Sequence, residues 1–343
     1  MSWRISEARG ADHPVSCDRN ATPDAGGITD KINRLPACGT KLIVIGRNRA
    51  ATGATRRQRI IHHPFHEQRD TPHGGLVPRL SSPHKPLMSD SEIFDRKLRR
   101  VRRDRAAMLP PDTRILDNVS EDLLDRLEEG QHRYERALLI NGAAERLNAG
   151  LRAICESVTC ADPGALFAKR VNGIVSDEDH PMFADQSFDL IVSVGLLDTV
   201  NDVPGALVLL RRALKPGGLM LCAFAGAGSL PLLREALRHV EPHVQRTHPM
   251  IDVRAGGDLL ARAGFARPVA DTDTLYITYE SSDALIRALR ANAATNLLQQ
   301  RQPMRRQVAK LFKAELEQNA PIRESVSIVT LTGWAPDSEQ LLK

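Results

Sequence analysis

Apolar positions along this chain change their period twice. Over 92–108, Phe94, Leu98, Val101 and Met108 recur at helical spacing, while Arg96, Lys97, Arg99, Arg100, Arg102, Arg103 and Arg105 fill the remaining face. The spacing predicts an amphipathic basic helix. Pro110-Pro111 ends it, and a second amphipathic stretch covers 120–127. Beyond Gly130, short apolar runs alternate with helical periods. Strands are expected over 136–141, 157–161, 188–194 and 218–224, and helices over 143–153, 163–169 and 202–214. Such alternation implies right-handed crossovers and a mostly parallel sheet covered on both faces, a doubly wound α/β domain. Helical spacing returns over 230–240, 255–263, 282–291 and 304–317, and strands are expected over 268–271, 275–279 and 326–333. A late helix followed by a closing apolar strand predicts one antiparallel member in the sheet.

Composition divides the chain before this pattern begins. Residues 1–87 carry 14 Lys/Arg against 7 Asp/Glu, and 88–343 carry 33 against 35. The basic balance therefore belongs to the first segment, and net charge gives no argument that the body binds nucleic acid. Rich in Pro, Gly and His and without sustained periodicity, 1–87 is expected to be a disordered, dispensable leader. A start of translation at Met88 is an alternative, because Ser89-Asp-Ser-Glu-Ile-Phe opens a helical pattern with a capping residue. The division expected is a leader over 1–87, a helical extension over 88–130 and an α/β domain over 131–343. No apolar run approaches the roughly 18 residues that cross a bilayer. The five cysteines lack zinc-hook spacing, no metal-ligand set is apparent, and reduced thiols in the cytoplasm are the expectation. The arginines of 96–105 suit either an acidic partner or RNA, or else a solvated face. With no aromatic residues interleaved among them, the solvated face is the simpler reading and nucleic acid is not expected.

The most informative segment is 187–224, which reads FDLIVSVG, a polar turn with Asn201-Asp202, the helix PGALVLLRRAL, then KPGGLMLCAF. Asp189 opens the buried strand, Asn201 or Asp202 suits the helix start, and Gly217-Gly218 allow the chain to reverse. This order resembles the late core of class I S-adenosylmethionine-dependent methyltransferases. More narrowly, 88–343 is similar to the methyltransferase-like complex I assembly factor 5 family and its alphaproteobacterial relatives. The residues that carry the likeness are IFDRKLRRVRRDRAA from Ile93, TVNDVPGALVLLRRALKPGG from Thr199, AGAGSLPLLREAL from Ala225, ADTDTLYITY from Ala270, ATNLL from Ala294, and the terminal strand ending in Gly333-Trp334.

The resemblance implies a seven-stranded Rossmann-like sheet with an antiparallel C-terminal strand, S-adenosylmethionine as cofactor, and methyl transfer to a protein or small molecule. The alternative it implies is an assembly factor for respiratory complex I, either non-catalytic or hydroxylase-like, with a complex subunit as partner. It assigns Gly142 to the turn after the first strand, Asp162 to the ribose hydroxyls, and Asp177 with Glu178 to the adenine. Each acid also reads as an exposed helix cap. Where the family has Gly-x-Gly-x-Gly, this chain has Asn141-Gly-Ala-Ala-Glu145, so weakened cofactor affinity is expected. No catalytic residue is assigned. Asp198, near the end of the fourth strand, reads as a base that orients an acceptor or, more simply, as a loop acid.

Overall fold

The computed structural model describes residues 43–48, 92–130 and 132–337. The rest of the expected leader lies outside the described residues. Two helices, α1 (Arg96–Ala107) and α2 (Arg114–Glu129), follow the strand β1 (Ile43–Asn48). Then β2 (Tyr134–Ile140), α3 (Glu145–Ile154), β3 (Cys155–Asp162), α4 (Ala165–Arg170), β4 (Ile174–Val175), β5 (Phe188–Val194), α5 (Val203–Ala213) and β6 (Leu214–Ala225) alternate as expected. After them come α6 (Pro231–Val240), α7 (Val253–Arg262), β7 (Ala266–Tyr279), α8 (Ser282–Ala291), α9 (Arg306–Glu317) and β8 (Ile322–Trp334). The strand order is β1-β7-β8-β6-β5-β2-β3-β4, where β1 is Ile43–Asn48. Neighbours pair in parallel except β8, which is antiparallel to both β6 and β7.

A seven-stranded sheet with an antiparallel closing strand is present over β2–β8, and three details differ. The short β4 is not among the expected segments. An eighth strand, β1, comes from the segment expected to be disordered and pairs parallel to β7. The two short strands expected over 268–271 and 275–279 are one, because Asp271 to Thr274 continue the ladder against β8 without a break. Polar residues there resemble a turn to a local reading, but paired backbone satisfies them equally well.

Alternation along the central strands divides the core in two. Leu138, Ile140, Ile191, Met220 and Phe224 face α5 and α7, meeting Leu207, Leu210 and Leu260. Leu139, Leu190, Val192 and Leu221 face the other way, onto Leu123 and Leu127 of α2 and Leu147 and Leu151 of α3. Each such leucine contributes about 1.5–3 kcal/mol by leaving water, so the sheet is held from both faces. A third cluster joins α6, α8 and α9 through Leu233, Leu285, Phe312 and Leu316 to Ile277 and Ile322 at the far ends of β7 and β8.

A buried acid secures this third cluster. Leu230, just before α6, has φ 55° and gives the helix no side-chain cap. Glu324 of β8, with no exposed surface, supplies one: its carboxylate accepts from Leu233 N at 2.6 Å and Leu232 N at 3.3 Å. Burial pushes the Glu324 carboxyl above its ordinary value. Glu324→Ala strands two amide donors and is expected to cost about 1–3 kcal/mol in denaturant unfolding. Glu324→Gln keeps an acceptor and removes the desolvated charge, so it is expected to recover most of that loss. Equal loss in both variants would show that the charge itself, rather than the acceptor, holds α6.

Candidate functional site

The carboxyl ends of β2, β3, β4 and β5 lie side by side in the sheet, at the edge where open α/β sheets bind ligands. Asn141-Gly142 follow β2, Asp162 ends β3, Asp177, Glu178 and Asp179 follow β4, and Asp198 sits in the one-turn 3-10 helix Leu197–Thr199 after β5. Asp162, Asp177 and Glu178 are therefore brought to one rim. They are not exposed caps: their exposures are 0%, 3% and 1%.

Buried carboxylates need cations or several donors, and α1 supplies the cations. Its arginines at positions i, i+3, i+4 and i+7 form one helical face. Arg96 makes a two-pronged pair with Asp179 at 2.5 and 2.8 Å. Arg99 does the same with Glu178 at 2.9 and 2.8 Å, reaches Asp177 at 3.4 Å, and donates to Leu196 O at 2.9 Å and Thr199 Oγ1 at 3.0 Å. Arg100 pairs with Asp177, and Arg103 with Asp162 through both Nε and Nη2. Burial works against the Arg99 charge, but Glu178 and Asp177 outweigh it and hold the guanidinium above its ordinary pKa.

The expected solvated face is thus incorrect for Arg99 and Arg103, whereas Lys97, Arg100 and Arg105 are exposed. Arg99 and Arg103 are each 4% exposed, whereas Val101 and Met108, expected on the buried stripe, are 44% and 69% exposed. A helix turns its apolar side inward only when the surface it meets is apolar. This one meets four acids.

Asp162 shows whether the rim fits a nucleoside. A carboxylate accepts at about four lone-pair positions. Oδ1 takes Gly164 N at 2.7 Å and Arg103 Nε at 3.2 Å, while Oδ2 takes Gly142 N at 2.8 Å and Arg103 Nη2. No position remains for a ribose hydroxyl. The flanking glycines are filled from the protein side too. A Cβ on Gly164 would lie 2.6 Å from Arg103 Cβ, and one on Gly142 would lie 2.8 Å from the Phe167 carbonyl oxygen. Gly142 therefore serves the packing of α4 against the turn. Arg103 also lies over the Phe167 ring, 4.4 Å from its centroid. As arranged, a ribose hydroxyl reaches Asp162 only by displacing Arg103.

Asn141 accounts for the missing glycines. It has φ 139°, a conformation that favours glycine, and its side chain compensates. Oδ1 accepts from Arg103 Nη2 and Ala143 N, each at 2.9 Å, and Nδ2 donates to Val194 O at 2.8 Å. The turn is closed onto β5 and onto α1 by one buried amide.

The start of α1 is seated independently of the arginines. Phe94 packs with Leu297 and Leu298, and its backbone N–H and C=O are both held by the Asn201 amide at 2.8 and 3.0 Å. His248 faces the Phe94 ring edge-on at 5.2 Å and accepts from Leu297 N at 2.8 Å. Burial pulls the His248 pKa down to about 4. Asn201 had been a candidate cap for α5, but Asp202 fills that role, accepting from Gly205 N at 2.8 Å.

Asp198 is partly exposed as a residue, yet its Oδ1 is shut from solvent without a hydrogen-bond partner, as is Ser193 Oγ. Burial pushes its pKa up to about 6, against the pull of nearby Arg99 and with the repulsion of Glu178. A desolvated acid of this kind, titrating near neutrality, has the properties of a proton acceptor.

A methyltransferase-domain family profile matches residues 142–222, from the turn after β2 into β6. The malonyl-[acyl-carrier protein] O-methyltransferase of Xylella fastidiosa is 36% identical over 168 residues, 47% of this chain and 56% of that protein. The chain thus spans little more than half the length of that relative. The mitochondrial arginine-hydroxylase NDUFAF5 of Homo sapiens is 28% identical over 248 residues, 65% of this chain and 68% of that one. Among solved structures, the YcgJ protein of Bacillus subtilis aligns with a TM-score of 0.44 and 16% identity, over 63% of this chain and 98% of that one. Residues 142–222 are thus similar to a methyltransferase domain. The mitochondrial arginine-hydroxylase NDUFAF5 of Danio rerio is 25% identical over 273 residues, 72% of this chain and 84% of that protein.

Sequence reasoning missed Arg96, Arg99, Arg100 and Arg103 as site residues. The signal was their one-face spacing together with the acid run over 177–179. Two expectations follow. Arg103→Ala leaves Asp162 buried with its cation gone and is expected to cost about 3–5 kcal/mol, whereas exposed Arg105→Ala stays within about 0.5 kcal/mol; similar losses in thermal unfolding would contradict the assignment. For Asp198, the folded-state pKa of about 6 lies above the ordinary 3.8, so its contribution to stability is present below pH 4 and lost as pH rises through 6. Asp198→Asn is expected to remove that decline and raise stability at pH 8 by about 2–3 kcal/mol. An unchanged pH profile would place Asp198 in water.

Proposed function

We propose that the chain is an S-adenosylmethionine-dependent methyltransferase-like protein acting on a protein or small-molecule acceptor. It takes the nucleoside of its cofactor at Asp162, Asp177 and Glu178, next to the turn at Gly142. The observation that carries the reading is the convergence of these acids, from separate segments, on the ligand-binding edge of the sheet. The methyltransferase-domain match over the same strands supports it. S-adenosylmethionine supplies an activated methyl group when bound, so the protein needs mainly to position the acceptor. Asp198, beyond β5 and held near neutral pKa, is the proposed group for orienting or deprotonating an acceptor there.

A second reading is favoured by one observation, the complete engagement of Asp162 by protein donors. On this reading the fold is a non-catalytic or hydroxylase-like assembly factor for respiratory complex I, with a complex subunit as its partner. Similarity to the arginine-hydroxylase NDUFAF5 proteins supports it. Among the described residues, no three His, Cys, Asp or Glu side chains cluster as a metal ion would use them.

Calorimetric titration of the full chain with S-adenosylmethionine decides between the two. The first reading expects saturable binding that Asp177→Ala and Asp162→Asn each weaken by about 10- to 100-fold, since a hydrogen bond to a charged group is worth about 1.5–3 kcal/mol. Binding unaffected by both changes would remove these acids from the site. No binding at millimolar cofactor by folded protein would leave the assembly reading.

A further inference from the structure

We infer that Arg103, with Arg99 beside it, is an ionic latch that competes with the nucleoside for the rim: α1 closes the site in the free protein, and its guanidiniums leave when the cofactor enters. The inference rests on the reading of the rim as a nucleoside site and adds how that site is regulated. All four acceptor positions of Asp162 are filled, two of them by backbone amides of the turns that define the site. Those amides belong to the fold. The two positions held by Arg103 are the ones that a ribose diol would need, and freeing them requires only that one side chain withdraw. Arg99 covers Glu178 with the same two-pronged geometry, and Gly164 leaves room for Arg103 where any Cβ would collide.

Two features allow the latch to open without unfolding α1. Its first turn is held at Phe94 by Asn201 and by the Leu297-Leu298 segment, contacts that involve none of the arginines. In addition, the attraction within a buried ion pair is largely offset by the desolvation of both charges. Returning the guanidinium to water recovers its hydration, and the diol's two donors replace the two it withdraws from Asp162, so the cost of opening is the part of the pair's energy that those donors do not restore. A site that is open in a fraction f of molecules binds with an apparent affinity reduced by that fraction, so a latch open about one time in a hundred weakens cofactor binding about a hundredfold. The acid cluster stays neutralised in the meantime, which four adjacent buried carboxylates otherwise would not be.

The test uses the full chain and S-adenosylhomocysteine as probe. Arg103→Met keeps the length of the side chain without its charge and is expected to tighten binding at least tenfold. Asn141→Gly, which removes one acceptor of Arg103 and places glycine at φ 139°, is expected to tighten it severalfold and guards against a failure of the first variant to fold. In the wild type, the Arg103 Nε–H signal in nitrogen-correlated NMR, assigned by its absence from Arg103→Met, is expected to lose its protected position on saturation with the probe. If wild type binds with that signal unmoved and neither variant tightens binding, Arg103 is part of the cofactor wall and the latch is wrong while the nucleoside reading stands. If folded wild type and both folded variants bind nothing, the nucleoside reading and the latch fall together.

Discussion

A carboxylate with no exposed surface must be matched donor for donor, and the matching of Asp162 organises this end of the molecule. Gly142 and Gly164 point their amides at it, which fixes the turns after β2 and β3. Arg103 completes it and thereby fixes the rotation of α1 about its axis. With that rotation set, Arg96, Arg99 and Arg100 fall opposite Asp179, Glu178 and Asp177, while Val101 and Met108 are left facing water. The exposed apolar residues follow from an electrostatic requirement that outweighs the burial of two side chains.

The sheet and its helices were readable because their cause is local. Alternation and helical periodicity report which face of an element is buried, and they place β2, β5, β6 and the helix 203–213 within a few residues. The closing antiparallel strand was readable for the same reason. The face of α1 was not, because the acids it meets lie 59 to 83 residues away and contribute nothing to a local pattern. The acids Asp162, Asp177 and Glu178 were nameable only through a family resemblance; without it each is an ordinary capping residue. The same resemblance marked Phe94, Asn201 and Leu297-Leu298 within separate motifs, and the structure gives these a shared purpose, since they meet at the seat of α1. Asn141 looked like a lost glycine and retains the glycine-like backbone, closed by its own amide.

Likeness to a methyltransferase domain and site chemistry carry different amounts of information. The fold supplies a ligand-binding edge and the order of elements around it, and many activities share both. In this chain that edge is charge-matched by an arginine helix, beside Asp198, whose pKa burial pushes up to about 6. A cofactor enters such a site by exchange with protein groups, so affinity depends on the helix as much as on the acids.

A crystal structure of the full chain grown with saturating S-adenosylhomocysteine tests this exchange most directly. The account predicts the ribose hydroxyls on the Asp162 carboxylate, with Gly142 and Gly164 amides still in place and the Arg103 guanidinium withdrawn from it. A bound nucleoside elsewhere on the protein, with Arg103 still paired to Asp162, would contradict it.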